Sequence, residues 1–468
     1  MYRFLFSPIK KKQFLLLWID ICIIAFSIGL SYIIRFLISR ESIVVDNIIA
    51  RLDIRHSYLV FIYLFSLYIF NQYNLNQIDA VGNIPKVLFM ALTLGVVLSS
   101  SIFYFLPKYI FGRTALVTHY MLLVTLIGGW RLVFVKYLLK RQATKRILVV
   151  GKRSQVTHFL EDMQQHLHSG YSIAGAYYRD QLGFQPSHNI ADECKLAVGD
   201  VLAREKYDLL IYDTKCRDFS SNDIETMLQL KYEGKTIYDI PTFYQDIIGK
   251  APIEFIDNIW LLFNTQMQRR EKQYYVRIKR LMDIALSLLL LLLFAPLMLI
   301  VSVIIRLTGR GPVFFRQERL CARGGKFYCI KFRTMSIAME PDELQPQWAT
   351  NESIRITPLG RLLRKTRLDE MPQLWNILKG EMSFVGPRPI RKYFAEELAK
   401  AIPFYNLRFM VKPGLSGWAQ VNMGYADSME SQREKFTYEL FYLQNMSFLL
   451  DTIVIIKTIQ KVLRGEGA

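Results

Sequence analysis

The sequence predicts a membrane protein in three parts: an N-terminal bundle of four transmembrane helices, a middle α/β domain, and an α-rich C-terminal domain carrying a hydrophobic helix that dips into the bilayer and returns. Three observations carry this. Apolar residues make up 52% of the 468 residues and are gathered in long runs, the pattern of membrane segments joined to soluble domains. Between 145 and 240, short apolar strands alternate with helical patterns, as in a parallel, doubly wound sheet. Finally, 22 uncharged residues follow Asp283, with Pro296 among them, and that length can cross a bilayer.

The bundle comes first, over 1–140, with apolar stretches at roughly 14–38, 57–72, 86–106 and 115–139. The second is short, and Asp20 and Arg131 blur the edges of the first and fourth. Lys10, Lys11 and Lys12 precede the first run, while Lys136, Lys140, Arg141, Lys145 and Arg146 surround the end of the fourth. The positive-inside rule puts both ends in the cytoplasm, which four crossings satisfy. The first run is too long for a signal peptide and is followed by more of the same, so it is expected to stay as an anchor.

The middle domain, 145–240, opens on KRILVVG (145–151), then a helical pattern to about His168, then YSIAGAYY, YDLLIYDT and KTIYDI as further strands. The turn after the first strand reads GKRSQ and lacks G-x-G-x-x-G; without those glycines a pyrophosphate cannot approach the backbone closely. Dinucleotide binding and a structural or regulatory spacer both remain readings of this domain. Residues 241–274 read as a connector ending in a basic, aromatic stretch suited to a membrane surface. Five cysteines without C-x-x-C spacing suggest neither a disulfide framework nor a zinc site, which fits a reducing cytosol.

The last domain, 275–468, begins with the hydrophobic segment at about 283–305. After four crossings, a fifth would export everything beyond it. Lys279 and Arg280 precede it and Arg306 and Arg310 follow, so neither end asks to lie outside. Pro296 favours a sharp break near the midpoint, and a helix–break–helix entering and leaving one face reconciles these facts. A kinked spanning helix is the alternative, since proline is tolerated there.

The net charge of +19 points to an anionic partner. The basic residues flank apolar segments and form no recognition module, which argues against nucleic acid. Within RKTRLDEMPQLWNILKG (364–380), Pro372 fits the first turn of a helix and Gly380 its end. Leu374, Trp375 and Leu378 are expected on its apolar face. Asp369 and Glu370 then lie at its N-terminal end with Arg364 and Arg367 upstream, surroundings that favour ionised carboxylates. An ionised Asp can attack phosphorus, and a neighbouring carboxylate can hold Mg²⁺; an Asp-Glu pair before a proline is equally a common helix start. GPRP (386–389) holds Arg388 on a stiff turn suited to phosphate, and KFRTM (331–335) adds Lys331 and Arg333 beside a hydroxyl. None of the six histidines falls in this region, and there is no D-x-D.

KFRTM, LDEMPQLWNILKGEMSFVGPRP and KPGLSGWAQVN together resemble the bacterial sugar transferases, the polyprenyl-phosphate hexose-1-phosphate (monotopic phosphoglycosyl) transferases, over roughly 275–468. The parts before it resemble the large members, with a Rossmann-like (CoA-binding-like) middle domain. The resemblance implies transfer of a sugar-1-phosphate from a UDP-sugar to undecaprenyl phosphate with release of UMP, the initiating step of exopolysaccharide, capsule or O-antigen (lipopolysaccharide) synthesis. It implies Asp369 as nucleophile, forming a covalent phosphosugar–enzyme, and Glu370 as a Mg²⁺ ligand. Arg364 and Arg388 would hold phosphates, with Lys331 and Arg333 near the nucleotide. The re-entrant helix broken at Pro296 is also a family feature, and Lys279, Arg280 and Asp283 match its membrane-surface entry. A homodimer is implied, in the bacterial inner membrane, with the soluble domains in the cytoplasm. Two departures are Met371, where Leu is common, and Ala295, where smaller members have Ser before the proline.

Two other classes compete. A flippase for the lipid-linked product would need intramembrane charges along a path, and the bundle has few. A non-catalytic nucleotide-binding scaffold would not need the acidic pair and its arginines. The sugar itself is set by contacts that no spacing reports.

Overall fold

The computed structural model describes residues 8–39, 57–73, 84–105, 113–139, 145–166, 171–180, 183–186, 206–213, 215, 221–256, 258, 260–261, 270–308, 311–335, 356–424 and 428–464. The chain divides into two compact units, Tyr2–Asp239 and Ile240–Ala468.

In the first unit, apolar helices follow one another: α1 (Pro8–Ser39), α2 (Ser57–Ile69), α3 (Ile84–Phe105) and α4 (Arg113–Val133), the last continued by a π-helical turn, Phe134–Leu139. They share a core to which Ile24, Tyr63, Leu92 and Leu123 each contribute. Hydroxyls inside it donate to carbonyls one turn back, Ser27 to Ile24, Ser66 to Tyr63 and Ser99 to Gly95, which keeps them satisfied in apolar surroundings. Asp20 and Arg131 are both fully buried and pair at 2.7 Å, and the Tyr73 hydroxyl donates to the same carboxylate at 2.8 Å. Neither charge therefore marks a helix end; each neutralises the other.

Among the described residues, three helices are long and apolar enough to cross a membrane: Lys12–Arg35, Thr114–Tyr137 and Tyr274–Thr308. Tyr58–Ile69 and Pro85–Ser101 are apolar but shorter. The 13 residues of α2 reach about 20 Å, against about 30 Å of hydrocarbon.

The same unit holds a five-stranded sheet of β1 (Lys145–Gly151), β2 (Tyr171–Asp180), β3 (Gly183–Pro186), β4 (Leu209–Tyr212) and β5 (Thr236–Asp239), with helices α5 (Arg153–His166) and α6 (Ser221–Tyr232) between strands. The order is β3-β2-β1-β4-β5, parallel except for the β2–β3 edge. Ile147, Leu148, Val149 and Val150 are all buried, as a strand covered on both faces requires. The edge strand β3 was not expected from the sequence; it is four residues ending in proline, which only an edge accepts. At the turn after β1, the Asp213 carboxylate accepts the backbone N–H groups of Lys152 (3.4 Å) and Lys215 (2.9 Å). In a dinucleotide fold that turn receives phosphate; here the chain's own carboxylate lies there, which favours the spacer reading.

The second unit opens with α7 (Ile240–Ile247) and a 3₁₀ turn at Ile253–Phe255, which bury Phe243, Tyr244 and Phe255. The Trp418 indole donates to the Gly249 carbonyl at 2.7 Å and the Ala251 N–H to Thr437 at 3.0 Å. The stretch from 241 that reads as a connector is thus, through 256, part of this unit's core. Next comes α8, 39 residues over Arg270–Thr308, with Pro296 inside it. Pro296, expected as a break, removes one backbone donor without ending the helix. Before the proline, Arg280 donates to the Ile377 and Leu378 carbonyls at 2.6 Å, and Asp283 accepts from Ser383 Oγ and the Phe384 N–H at 3.1 Å. After it, Val301 and Ile305 pack with Phe332 and Leu363. Both halves rest on the same unit, while Leu292 and Leu293 between them are 78% and 64% exposed.

The rest of the unit comprises an antiparallel hairpin of β6 (Phe314–Leu320) and β7 (Lys326–Phe332), α9 (Pro358–Lys365), α10 (Gln373–Lys379), β8 (Ser383–Val385), α11 (Lys392–Ala401), β9 (Gly414–Ser416), α12 (Trp418–Asn422), α13 (Met429–Asn445) and α14 (Phe448–Arg464). Strands β8 and β9 pair in parallel. A Cβ on Gly414 would collide with the Gly386 backbone, so glycine is what lets the GPRP and KPGLSGW segments lie directly against each other.

Candidate active site

The acidic pair sits in a single 3₁₀ turn, Leu368–Glu370, entered through Arg367 in the left-handed region at φ 58°. A side chain there costs of order 1 kcal/mol or more and persists only where the surroundings impose it. Helix α10 follows immediately, capped by Pro372 (φ −61°) and by left-handed Gly380 (φ 90°). Arg280 from α8 binds its last carbonyls. Leu374 and Ile377 form its buried face, whereas Trp375, expected there, is 49% exposed; at 100° per residue it points aside. Asn376 fixes the helix to β7, accepting from the Ile330 N–H at 3.1 Å and donating to the Tyr328 carbonyl at 2.8 Å.

That docking brings Lys331, at the end of β7, to Glu370. Glu370 Oε1 takes Lys331 Nζ at 2.7 Å, Arg388 at 2.8 Å and Arg367 at 3.8 Å. Burial pushes the Glu370 carboxyl up, but Arg388, Lys331 and Arg367 outweigh it and hold the group well below the usual carboxylate range. Asp369 has the opposite balance. It is 7% exposed; burial first, then the neighbouring Glu370 charge, raises its pKa, against Lys331, Arg364 and Arg367. Its Oδ1 is buried with no hydrogen-bond partner among the described residues. An orphaned carboxylate oxygen inside a ring of cations is an oxygen available to a ligand.

The remaining expected residues divide. Arg364 Nε donates to Thr334 Oγ1 at 3.1 Å, which ties α9 to the KFRTM segment and leaves the guanidinium charge near Asp369. Arg388 joins the pair through Glu370. Arg333 reaches the Ile305 carbonyl near the end of α8 at 3.5 Å. Two residues that spacing did not pick out hold Arg388 in place. Arg408, 3% exposed, donates to the Arg388 carbonyl at 2.8 Å and pairs with buried Glu439 at 3.0 Å. Arg319 reaches the Pro389 carbonyl at 3.4 Å. The sequence signal of Arg408 and of its partner Glu439 is a charge inside an apolar stretch, FYNLRFM and YELFY.

Among the described residues no three His, Cys, Asp or Glu side chains cluster as a metal cage. The donor set does fit a hard cation that takes one or two carboxylates and completes its shell with phosphate oxygens and water.

The bacterial sugar transferase family profile matches residues 274–465, the span that holds every site residue above. The chain is 34% identical over 286 residues to the UDP-N-acetylgalactosamine-undecaprenyl-phosphate N-acetylgalactosaminephosphotransferase of Aeromonas hydrophila, covering 61% of this chain and 66% of that protein. It is 42% identical over 192 residues to the UDP-glucose:undecaprenyl-phosphate glucose-1-phosphate transferase of Klebsiella pneumoniae, covering 41% of each. It is 30% identical over 328 residues to the enzyme of that name in Escherichia coli (strain K12), covering 69% of each. The matches thus span from about two fifths to just under two thirds of the first two relatives' length. With a relative matched along most of both chains and the profile centred on the cation-ringed acidic turn, the chain belongs to the bacterial sugar transferase family.

Proposed function

We propose that the chain transfers a sugar-1-phosphate from a UDP-sugar to undecaprenyl phosphate, initiating synthesis of an exopolysaccharide, capsule or O antigen. The observation that carries this is the buried Asp369, with one oxygen unpartnered among the described residues, beside a Glu370 that three cations, Lys331, Arg367 and Arg388, keep charged. In this reading an Asp369 oxygen attacks the phosphorus bearing the sugar. The bond to the bridging oxygen breaks, UMP departs with that oxygen, and the phosphosugar remains on the carboxylate. An oxygen of undecaprenyl phosphate then attacks the same phosphorus and releases Asp369. Nucleophile, leaving group and acceptor are all anionic, so the barrier is charge repulsion, which Lys331, Arg364, Arg367 and Arg388 offset. A Mg²⁺ held by Glu370 would supply further neutralisation of phosphate charge.

The same reading places the chain in the bacterial inner membrane with four N-terminal crossings and its soluble parts in the cytoplasm. It takes α8 as re-entrant, bent at Pro296. What supports this is that both halves of α8 contact one unit while its middle leucines are exposed, and that the two intramembrane charges of α1 and α4 pair. A homodimer belongs to the reading and is tested by light scattering of the detergent-solubilised chain.

The test is UMP release by solubilised protein given undecaprenyl phosphate, Mg²⁺ and a panel of UDP-sugars, beside Asp369→Asn. Release with one donor, lost in the variant, supports the reading and names the sugar. An undiminished Asp369→Asn enzyme would remove the nucleophile assignment.

A further inference from the structure

Beside the acidic turn lies a trough of about 630 Å³, within the usual range of about 300–1,000 Å³ for small-ligand sites. One wall is the membrane helix α8, through Leu291 and Met298; the others are the β6–β7 hairpin and α10. We infer that this trough receives the isoprenoid chain of the acceptor lipid, leading its phosphate to Asp369; the inference rests on the transfer reaction proposed above.

Four observations point to that occupant. Leu291 and Met298 face the trough while Leu292 and Leu293, 78% and 64% exposed, face away on the same helix, so an apolar chain leaving the lipid along α8 stays in apolar surroundings. Phe314, Tyr328 and Trp375 line the trough yet are 40%, 60% and 49% exposed. Large aromatic surface left open next to a membrane helix suits a lipid interface. Arg316 and Lys379 line the trough with Lys326, which pairs with Glu318 at 2.8 Å, and with Glu381, which already accepts from Asn376 at 2.6 Å. Lys379 lies 6.0 Å from the Trp375 ring centre, a positive charge at the edge of an apolar floor, complementary to an anionic amphiphile. Finally, the trough lies close to the reaction centre in the chain: Pro372, two residues beyond Glu370, lines it, and so does Ile330, the neighbour of Lys331 on the other face of β7. A uridine base can stack on the same aromatic side chains, so the donor is the competing occupant.

The experiment separates the two half-reactions for that reason. UMP release is first followed as a single-turnover burst without acceptor, then in steady state against undecaprenyl phosphate, for the wild type, Trp375→Ala, Tyr328→Ala and Trp375→Phe. In addition, a photoreactive polyprenyl phosphate is cross-linked to the wild type and the labelled peptides are identified by mass spectrometry. The expected result is an unchanged burst, an acceptor KM raised about tenfold or more in the two alanine variants from lost apolar burial, and recovery with Trp375→Phe. Label is expected on peptides from the hairpin and α10, competed by undecaprenyl phosphate. An unchanged acceptor KM, or label outside the trough, overturns the inference. So does label that phosphatidylglycerol vesicles displace as well as undecaprenyl phosphate does, which would make the trough a general lipid site. A loss of the burst in the alanine variants also overturns it, because the residues would then serve the donor. Absence of a burst in the wild type with every donor counts against the proposed reaction instead, and the cross-linking result still decides the trough.

Discussion

Two buried aspartates in this molecule have the same difficulty and different solutions. Asp213, in the sheet unit, is 1% exposed and Asp369, in the second unit, 7%; burial is the foremost cause raising the pKa of both. Asp213 spends its oxygens on the backbone N–H groups of Lys152 and Lys215. It also closes the turn after β1, where a Cβ on Gly151 would come within 2.5 Å of the Asp213 side chain. Asp369 keeps an oxygen that has no hydrogen-bond partner among the described residues. A carboxylate satisfied by its own fold is a structural part, whereas one desolvated, ringed by cations and left unsatisfied is held ready for something that arrives.

The largest effect that tests this contrast is on turnover. Asp369→Asn is expected to lower UMP release by more than about a thousandfold, while Asp213→Asn leaves it within about twofold. Comparable losses in both would erase the distinction. Second, Arg408→Met strands the Glu439 charge in the core beneath Arg388, and a loss of about 3 kcal/mol in folding stability is expected. Adding Glu439→Gln should restore most of it, read as the melting temperature of the solubilised protein.

The pH dependence sharpens the comparison within the acidic pair itself. In the proposed mechanism Asp369 attacks in its ionised form, and its pKa is raised, so the acid limb of turnover should lie above the ordinary aspartate value of about 3.9. Glu370, held low, should not titrate in that window. The stability signs are opposite. The folded chain holds the Asp369 proton more tightly than the unfolded chain, so its ionisation costs stability as pH rises. Glu370 contributes stability above the ordinary glutamate value of about 4.3 that is lost as pH falls. Asp369→Asn should therefore melt higher than the wild type near neutral pH. The smallest effect concerns the entry to the turn: Arg367→Gly relieves the left-handed backbone but removes one of three cations from the buried Glu370, two opposed contributions of about 1 kcal/mol each, so the melting temperature should move little.

Legibility in the sequence followed the range of the interaction. Helix α10 was readable at both ends because proline and glycine carry their own backbone preferences. The Asp369–Glu370 turn and the Arg388 turn were readable for the same reason. The face of α10 was not: Trp375 is apolar but belongs to the trough rather than the core, and apolarity alone does not distinguish the two. Arg408 and Glu439 are 31 residues apart and Arg388 is held by a carbonyl contact from Arg408, so no local spacing announced them. Residues i and i+2 share a face only while a strand lasts, and β7 ends at Phe332, so the place of Arg333 in KFRTM does not fix its side chain beside that of Lys331. Residues 241–256 looked like a connector because the segment is short, although Phe243, Tyr244 and Phe255 offered a core's worth of aromatic surface.

The ion pair between Asp20 and Arg131 has a consequence for how the chain is made. The two residues are 111 positions apart, so a ribosome releases α1 well before α4 exists. Under the four-crossing reading, the first helix enters the bilayer carrying an uncompensated aspartate, a burden of about 2.5–3.5 kcal/mol on insertion scales. Only the arrival of the fourth helix cancels it. The bundle is therefore not a row of independent anchors threaded one by one. Its first member stays provisional until its last is in place, and a chain truncated between them should be a substrate for membrane quality control rather than a smaller stable protein.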